Sequence, residues 1–356
     1  MFVFGKREIQ LIEYDCSSVR TKGARLKQIG NNGKLTISSI RLSVAMARTI
    51  MSKNPTQLDL NFYFLSSFFN IQSMIDSRKK NLRLSINTRH KLRDFSLTGR
   101  IGELAQAVNF IFAQDVLKSP IVVDFEGYIS SFNNISNYTG EAPDFIISKI
   151  GNSTISILES KGSHPNSPNK NLKTTLREGL EQCENAKNFI INNNIAININ
   201  QTFAAGAWFA DVQSPWDTTI GYSDPIEYRE EVKFDDLALM RYHYASWFSI
   251  IGLFNYSLQL ISNEPLFFER PTEVYEYENE RFYLFDSNWS PYMYNEISLF
   301  SHFGFYRFVK FGIAEKVWNI LTGNELNLKN SDIQFVSLSE EGIEIFSDGT
   351  LVLYDI

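Results

Sequence analysis

Asp144, Glu159 and Lys161 are the residues of this chain whose types and spacing spell out a chemistry. They stand near the two ends of one short stretch, residues 143 to 161, PDFIISKIGNSTISILESK. Two carboxylates brought together offer hard oxygen ligands, which suit Mg²⁺ or Mn²⁺. Such ions keep several waters and complete their shell with one or two carboxylates plus substrate phosphate. No Cys or His pair is spaced to favour zinc instead. A cation held there would polarise a scissile phosphate and acidify a bound water, while the Lys161 amine would orient that water or stabilise charge growing on phosphorus. The chemistry expected is phosphodiester hydrolysis.

These side chains need a scaffold that brings them together. Two apolar, β-branched runs, Phe145 to Ile150 and Ile155 to Leu158, flank the turn-forming Gly151-Asn152-Ser153, which is a hairpin pattern. Strand side chains alternate, so Glu159 and Lys161 share a face and Ser160 points away. With so short a loop the strands are antiparallel neighbours, and Asp144 at the start of the first lies beside Glu159 and Lys161 at the end of the second.

At these residues the chain resembles the PD-(D/E)xK nuclease superfamily, with Pro143-Asp144 as the first element and Glu159-Ser160-Lys161 as the second. The resemblance covers roughly residues 95 to 210 and implies a restriction-endonuclease-like core, a mixed central sheet flanked by helices. It further implies an acidic residue on a preceding helix and a glutamine on the following one. Glu103, in TGRIGELAQAVNFIFAQDV, fits the first: Ile101, Leu104, Val108, Ile111 and Phe112 recur at helical spacing, and Thr98 or Gly99 can start the helix. Gln182, in TTLREGLEQCENAKNFI, fits the second. By the resemblance, Asp144, Glu159 and Glu103 hold Mg²⁺ or its water shell, Lys161 positions water, and Gln182 contacts water or a phosphate oxygen. The substrate implied is DNA ahead of RNA, and the setting, by analogy alone, bacterial restriction or anti-phage defence.

Plainer readings stand beside these. A Pro-Asp dipeptide and a Glu-x-Lys tripeptide each occur by chance, so the weight rests on their separation by one hairpin between two helices. Glu103 also reads as a first-turn acid complementing the helix dipole. Gln182 also reads as a solvated helix residue, with Glu178 or Glu181 able to replace it, and Asp124 is a reserve ligand for Glu103. His164, just past Lys161, is read as part of a surface loop, 162 to 171, rather than as a base. A non-catalytic subunit using a nuclease-like scaffold to bind nucleic acid or a partner is the competing class.

The 356 residues suggest about two domains with ample apolar content for each core. Cys16 and Cys183, far apart, form no disulfide or metal pattern, which fits a reducing cytosol. The first residues, MFVFGKREIQ, lack a signal peptide's apolar core, and the run Ala245 to Ile261 is broken by Asn255 and Gln259, so a cytoplasmic protein without a membrane span is expected.

The net charge of −6 hides an asymmetry. Residues 1 to 100 hold 18 Lys and Arg against 6 Asp and Glu, and the remainder 16 against 34. A basic front end before an acid-rich site suits a polyanion binder, although the same residues could dock on the acidic remainder or on a partner chain. The densest basic run, Arg78, Lys79, Lys80, Arg83, Arg89, Lys91 and Arg93, is the candidate for backbone-phosphate contact. Before it, residues 1 to 38 read as short strands or loops, Ile40 to Lys53 as a helix with Arg41 and Arg48 on one face, and Leu58 to Ile75 as an aromatic core stripe through Phe62, Leu65, Phe68 or Phe69 and Met74.

The expected division is a basic region 1 to 94, a nuclease core 95 to 212, and an aromatic-rich α+β region 213 to 356 able to serve a protein partner or homo-oligomer. The core should run helix, strand Ile121 to Phe125, hairpin, helix, strand Thr202 to Ala210. Beyond it, DDLALMRYHYASWFSIIGLF reads as a buried helix, Glu273 to Glu280 as an acidic loop or strand edge, Phe303 to Gly323 as a helix, and the stretch around Asp348-Gly349 as a hairpin.

Overall fold

The computed structural model describes residues 5–30, 33–50, 61–86, 88, 92, 94–132, 138, 140–152, 154–164, 171–228, 236–262, 269–285, 309–323 and 333–354. Its β-branched runs build a mixed sheet from β1 (Lys6–Tyr14), β2 (Gln28–Ile29), β3 (Lys34–Ser38), β4 (Ile121–Asp124), β5 (Phe145–Ser148), β6 (Ile155–Ser163), β7 (Ile199–Trp208), β8 (Thr219–Ser223) and β9 (Ile226–Glu227). The strands lie in the order β2-β1-β8-β7-β6-β5-β4, with β3 on β1 and β9 on β7. β6 and β7 are parallel, as are β1 and β8, and the other pairs are antiparallel.

Helices cover this sheet. In chain order the described ones are α1 (Cys16–Arg20), α2 (Ser39–Ile50), α3 (Asn61–Met74), α4 (Asp94–Asp115), α5 (Phe125–Ser130), α6 (Leu172–Asn192), α7 (Asp236–Ile250), α8 (Phe254–Ser262) and α9 (Glu315–Leu321). Two small residues show how closely α4 and α6 lie against the hairpin. A Cβ at Gly162 of β6 would meet Ala105 Cβ at 2.7 Å and the Ile101 carbonyl at 2.9 Å, both on α4. A Cβ at Gly179 of α6 would meet Ala204 Cβ at 3.0 Å and Glu159 Cγ at 3.1 Å. Residues 159 and 162 point to opposite faces of a strand, so α4 and α6 sandwich the hairpin.

A second, antiparallel sheet follows, built from β10 (Val274–Tyr277), β11 (Glu280–Phe285), β12 (Val309–Ala314), β13 (Leu338–Glu340), β14 (Ile343–Ile345) and β15 (Thr350–Tyr354), in the order β10-β11-β12-β15-β14-β13. One apolar cluster joins both sheets, running from Val123 and Ile157 through Trp247 and Phe248 to Phe311 and Leu351.

Several expectations are corrected. The helix expected over Phe303 to Gly323 is strand β12 followed by the short α9 in its described part, 309–323. β12 lies between β11 and β15 with Phe311 and Ile313 buried on one face and Ala314 on the other, and a strand buried on both faces reads as an apolar run without clean period 2. α4 starts at Asp94, ahead of Thr98 and Gly99. The buried helix after residue 235 ends at Ile250 and restarts as α8 beyond Gly252, which turns the chain with φ +82°. No described helix is long and apolar enough to cross a membrane. Phe68 is buried while Phe69 is exposed, and the side chains of Phe62 and Leu65 lie outside the described residues. Strands also cross both expected boundaries: β1 and β3 from 1–94 and β8 from beyond 212 share the sheet of the hairpin.

Candidate active site

The hairpin has the expected antiparallel register, Phe145 opposite Leu158 and Ser148 opposite Ile155, with Gly151 at φ +72° in the turn. Asp144 and Glu159 therefore meet one step beyond the ladder. The Asp144 backbone N–H donates to Glu159 Oε2 at 3.0 Å, and Lys161 Nζ lies 2.5 Å from Glu159 Oε1. The Asp144 carboxylate is fixed from two sides. Its Oδ2 accepts from the Ser160 N–H at 2.9 Å, and its Oδ1 accepts from Gln106 Nε2 of α4 at 2.8 Å.

Charge in this cluster is out of balance. Glu159 is 3 % exposed, and burial, reinforced by the neighbouring Asp144 charge, pushes its carboxyl up to about 8. Burial also raises Asp144, against the hydrogen bonds from Ser160 and Gln106. Burial disfavours the Lys161 ammonium too, but Glu159, Asp144 and Glu141 outweigh it and hold the amine above its ordinary value. Two desolvated carboxyls facing one ammonium form a site short of positive charge.

That shortage, together with a donor set of carboxylate oxygens, fits a hard divalent cation held by Asp144 and Glu159. A third protein ligand is not assembled: among the described residues no group of three or more Asp, Glu, His and Cys could hold a metal. Glu103 sits in the third turn of α4, so its reading as a first-turn, dipole-complementing acid is also corrected. Gln106, one turn on, is the α4 residue bonded to Asp144. Asn109, a further turn on and fully buried, donates to Ser160 Oγ at 2.7 Å. The spacing of 103, 106 and 109 along one helix face could have revealed both amides, but an acid was sought where the chain supplies an amide.

Gln182 is buried against the site rather than solvated. At 8 % exposure its Nε2 donates to Glu141 Oε2 at 2.6 Å, and its Oε1 is buried without a hydrogen-bond partner. Glu141 carried no expectation, although it stands two residues before Pro143. Glu181 is exposed and weakly paired with Arg177 at 3.7 Å, and Glu178 is half-buried. Asp124 Oδ1 caps α5 through the Gly127 N–H at 2.5 Å, and its charge adds to the rise at Asp144. His164 directly follows β6 and is half-buried, and residues 165–170 lie outside the described residues.

Part of the basic front end is consumed by the fold. Arg20, Arg41, Arg48 and Arg83 pair with Glu184, Asp115, Asp348 and Asp217, each at 2.7 Å. Arg41 and Arg48 do share a face of α2, but it points inward. Arg83 also donates to the carbonyls of Asp211 and Ser214, so it anchors its segment. Arg78 and Lys80 remain exposed while paired with Asp76 and Glu8, and Lys79 is exposed beside them. Arg89, Lys91 and Arg93 lie outside the described residues.

The chain matches no protein-family model, no curated protein and no solved structure.

Proposed function

We propose that this chain is a metal-dependent nuclease of PD-(D/E)xK type, hydrolysing phosphodiester bonds with Mg²⁺, or Mn²⁺ in its place. The observation that carries the reading is the buried junction of Asp144, Glu159 and Lys161 at the open end of one hairpin. Sixteen residues separate its acids and amine in sequence at most, yet the register and the two covering helices bring all three polar heads together.

Asp144 and Glu159 would hold the ion, which when bound supplies a polarised phosphate and an acidified water. The chain's own residues do the rest. Gln106 and the Ser160 N–H fix the Asp144 carboxylate by one hydrogen bond to each oxygen. Lys161, whose amine Glu159, Asp144 and Glu141 hold above its ordinary value, would act by charge beside the phosphate rather than as a base. Gln182 offers a buried acceptor that a water can satisfy. DNA stands ahead of RNA as substrate, and a defence role is carried over from the resemblance alone.

The test is nicking of supercoiled plasmid, and cutting of linear, single-stranded and RNA substrates, with Mg²⁺, Mn²⁺ or chelator. Asp144→Ala and Lys161→Ala should each abolish metal-dependent cleavage, a loss of 10³-fold or so, with folding retained. Unchanged nicking by the double variant rejects the assignment. The second reading, a silent nuclease-like scaffold, is favoured by the lack of a three-ligand group among the described residues, and binding without cutting by the wild type would establish it.

A further inference from the structure

Trp208 is a large aromatic side chain outside the three apolar clusters formed by the described residues. It ends β7, is half-buried, and among the described residues its ring packs on no other ring and its N–H meets no acceptor. This differs from Trp247 and Trp318, each of which packs edge-on against neighbouring rings inside the core. A tryptophan that contributes to no core has a small structural return for a large exposed surface.

Its position gives it a use. β6 and β7 are parallel and Gly206 is the direct partner of Lys161, so both face the α6 side of the sheet. A side chain at Gly206 would run into the edge of the six-membered ring of Trp208, with Cζ3 foremost and Cε3 and Cη2 both at 3.2 Å, so the indole leans back along β7 and meets Gly206, the strand neighbour of Lys161, edge-on. The neighbouring β8 partner is Gly221, over which the side chains of Leu172 and Tyr14 pack. The ring is thus held in one orientation, one strand spacing of about 4.8 Å from the strand of Lys161. In a nucleotide, the base stands away from its phosphate by about one to two such spacings.

We infer that Trp208 is the stacking platform for the base beside the scissile phosphate, so that the site takes single-stranded polynucleotide or a nucleotide unpaired at the cut. The inference rests on the nuclease reading of Asp144, Glu159 and Lys161. An indole can be stacked on only by a base whose own face is free, and in a duplex both faces are taken by neighbouring pairs. Stacking on an aromatic ring is tolerant of base identity, so selectivity for strandedness rather than sequence follows.

Wild type, Trp208→Phe, Trp208→Leu and Gly206→Ala are compared in two assays. One is cleavage, with Mg²⁺, of an oligonucleotide of roughly twenty residues as a single strand and as a duplex; the other is anisotropy of labelled oligo-deoxythymidine in chelator. Trp208→Leu, and Gly206→Ala by displacing the ring, should lower single-strand cleavage and binding by roughly tenfold or more while changing duplex cleavage much less; Trp208→Phe should retain most of both. A Trp208→Leu protein with wild-type melting temperature that cuts and binds single strands like wild type overturns the platform and leaves the nuclease reading standing. A wild type that binds oligo-deoxythymidine through Trp208 but cuts nothing supports the platform and removes the nuclease. A wild type that does neither overturns both.

Discussion

At Glu159 the cost of assembling the site can be measured. Its carboxyl is raised from the ordinary range to about 8 by burial and by Asp144, so between those values the folded chain holds a proton that the unfolded chain has lost. With the unfolded state binding fewer protons, stability falls as pH rises through that interval, the reverse of a carboxylate paired in the usual way. In chelator, the wild type should therefore melt lower at pH 8 than at pH 5.5. Glu159→Gln should flatten this slope and raise the pH 8 melting temperature by roughly 2–4 °C for each ~1 kcal/mol relieved. Mg²⁺ should stabilise wild type more than the variant at pH 8. Calorimetric scans at the two pH values decide it, and parallel profiles for the two proteins would show that Glu159 is not the strained group.

At the scale of elements, the site depends on how closely α4 lies on β6. Gly162 is the contact: an added Cβ would sit 2.9 Å from the Ile101 backbone carbonyl, which cannot rotate away. Gly162→Ala should push α4 outward, cost about 1–3 kcal/mol, and pull Gln106 off Asp144, lowering cleavage by more than the stability loss explains. Denaturant midpoints and single-turnover rates separate the two effects, and a variant with wild-type rate would show that the α4 spacing is not functional. The same packing marks what sequence could and could not reveal. The two apolar, β-branched runs Phe145 to Ile150 and Ile155 to Leu158 with glycine in the turn were enough to place Asp144 beside Glu159 and Lys161, because a hairpin's register is local. The α4 contribution was not legible in that way. Leu97 is buried and the helix begins before it, so Glu103 moved from the first turn to the third, and the bond to Asp144 comes from a neutral amide. Nor could β1 be read as a neighbour of β8: the pairing of Leu11 with Ile220 spans the whole core and leaves no local pattern.

Across the whole molecule, one buried polar knot ties the second sheet to the hairpin sheet. Arg48 of α2 donates to Asp348 Oδ2 at 2.7 Å, His243 of α7 shares that oxygen at 2.9 Å, and Gln114 of α4 reaches it at 3.2 Å, all three side chains of the first trio being sealed from solvent. The Asp348 Oδ1 accepts from the Thr350 N–H and hydroxyl at 2.9 and 2.6 Å, so the turn into β15 is fixed by the same group. His243 Nδ1 lies 3.0 Å from the N–H of Val122 on β4, the strand that ends in Asp124 beside the site. Burial opposes charge on Asp348, but Arg48 and His243 outweigh it and hold the carboxyl below its ordinary range; burial and Arg48 together lower His243. Removing one partner leaves the other buried and uncompensated, which is costlier than removing both. Arg48→Met or Asp348→Asn alone should therefore cost about 3–5 kcal/mol, and the pair together less than their sum. Because β4 loses its hold with them, cleavage by either single variant should fall even at temperatures where it stays folded. A double-mutant cycle on urea midpoints, with nuclease rates measured beside it, tests both claims. Additive losses would mean the knot is a set of independent contacts, and unchanged rates would mean the second sheet stabilises the molecule without bearing on the site.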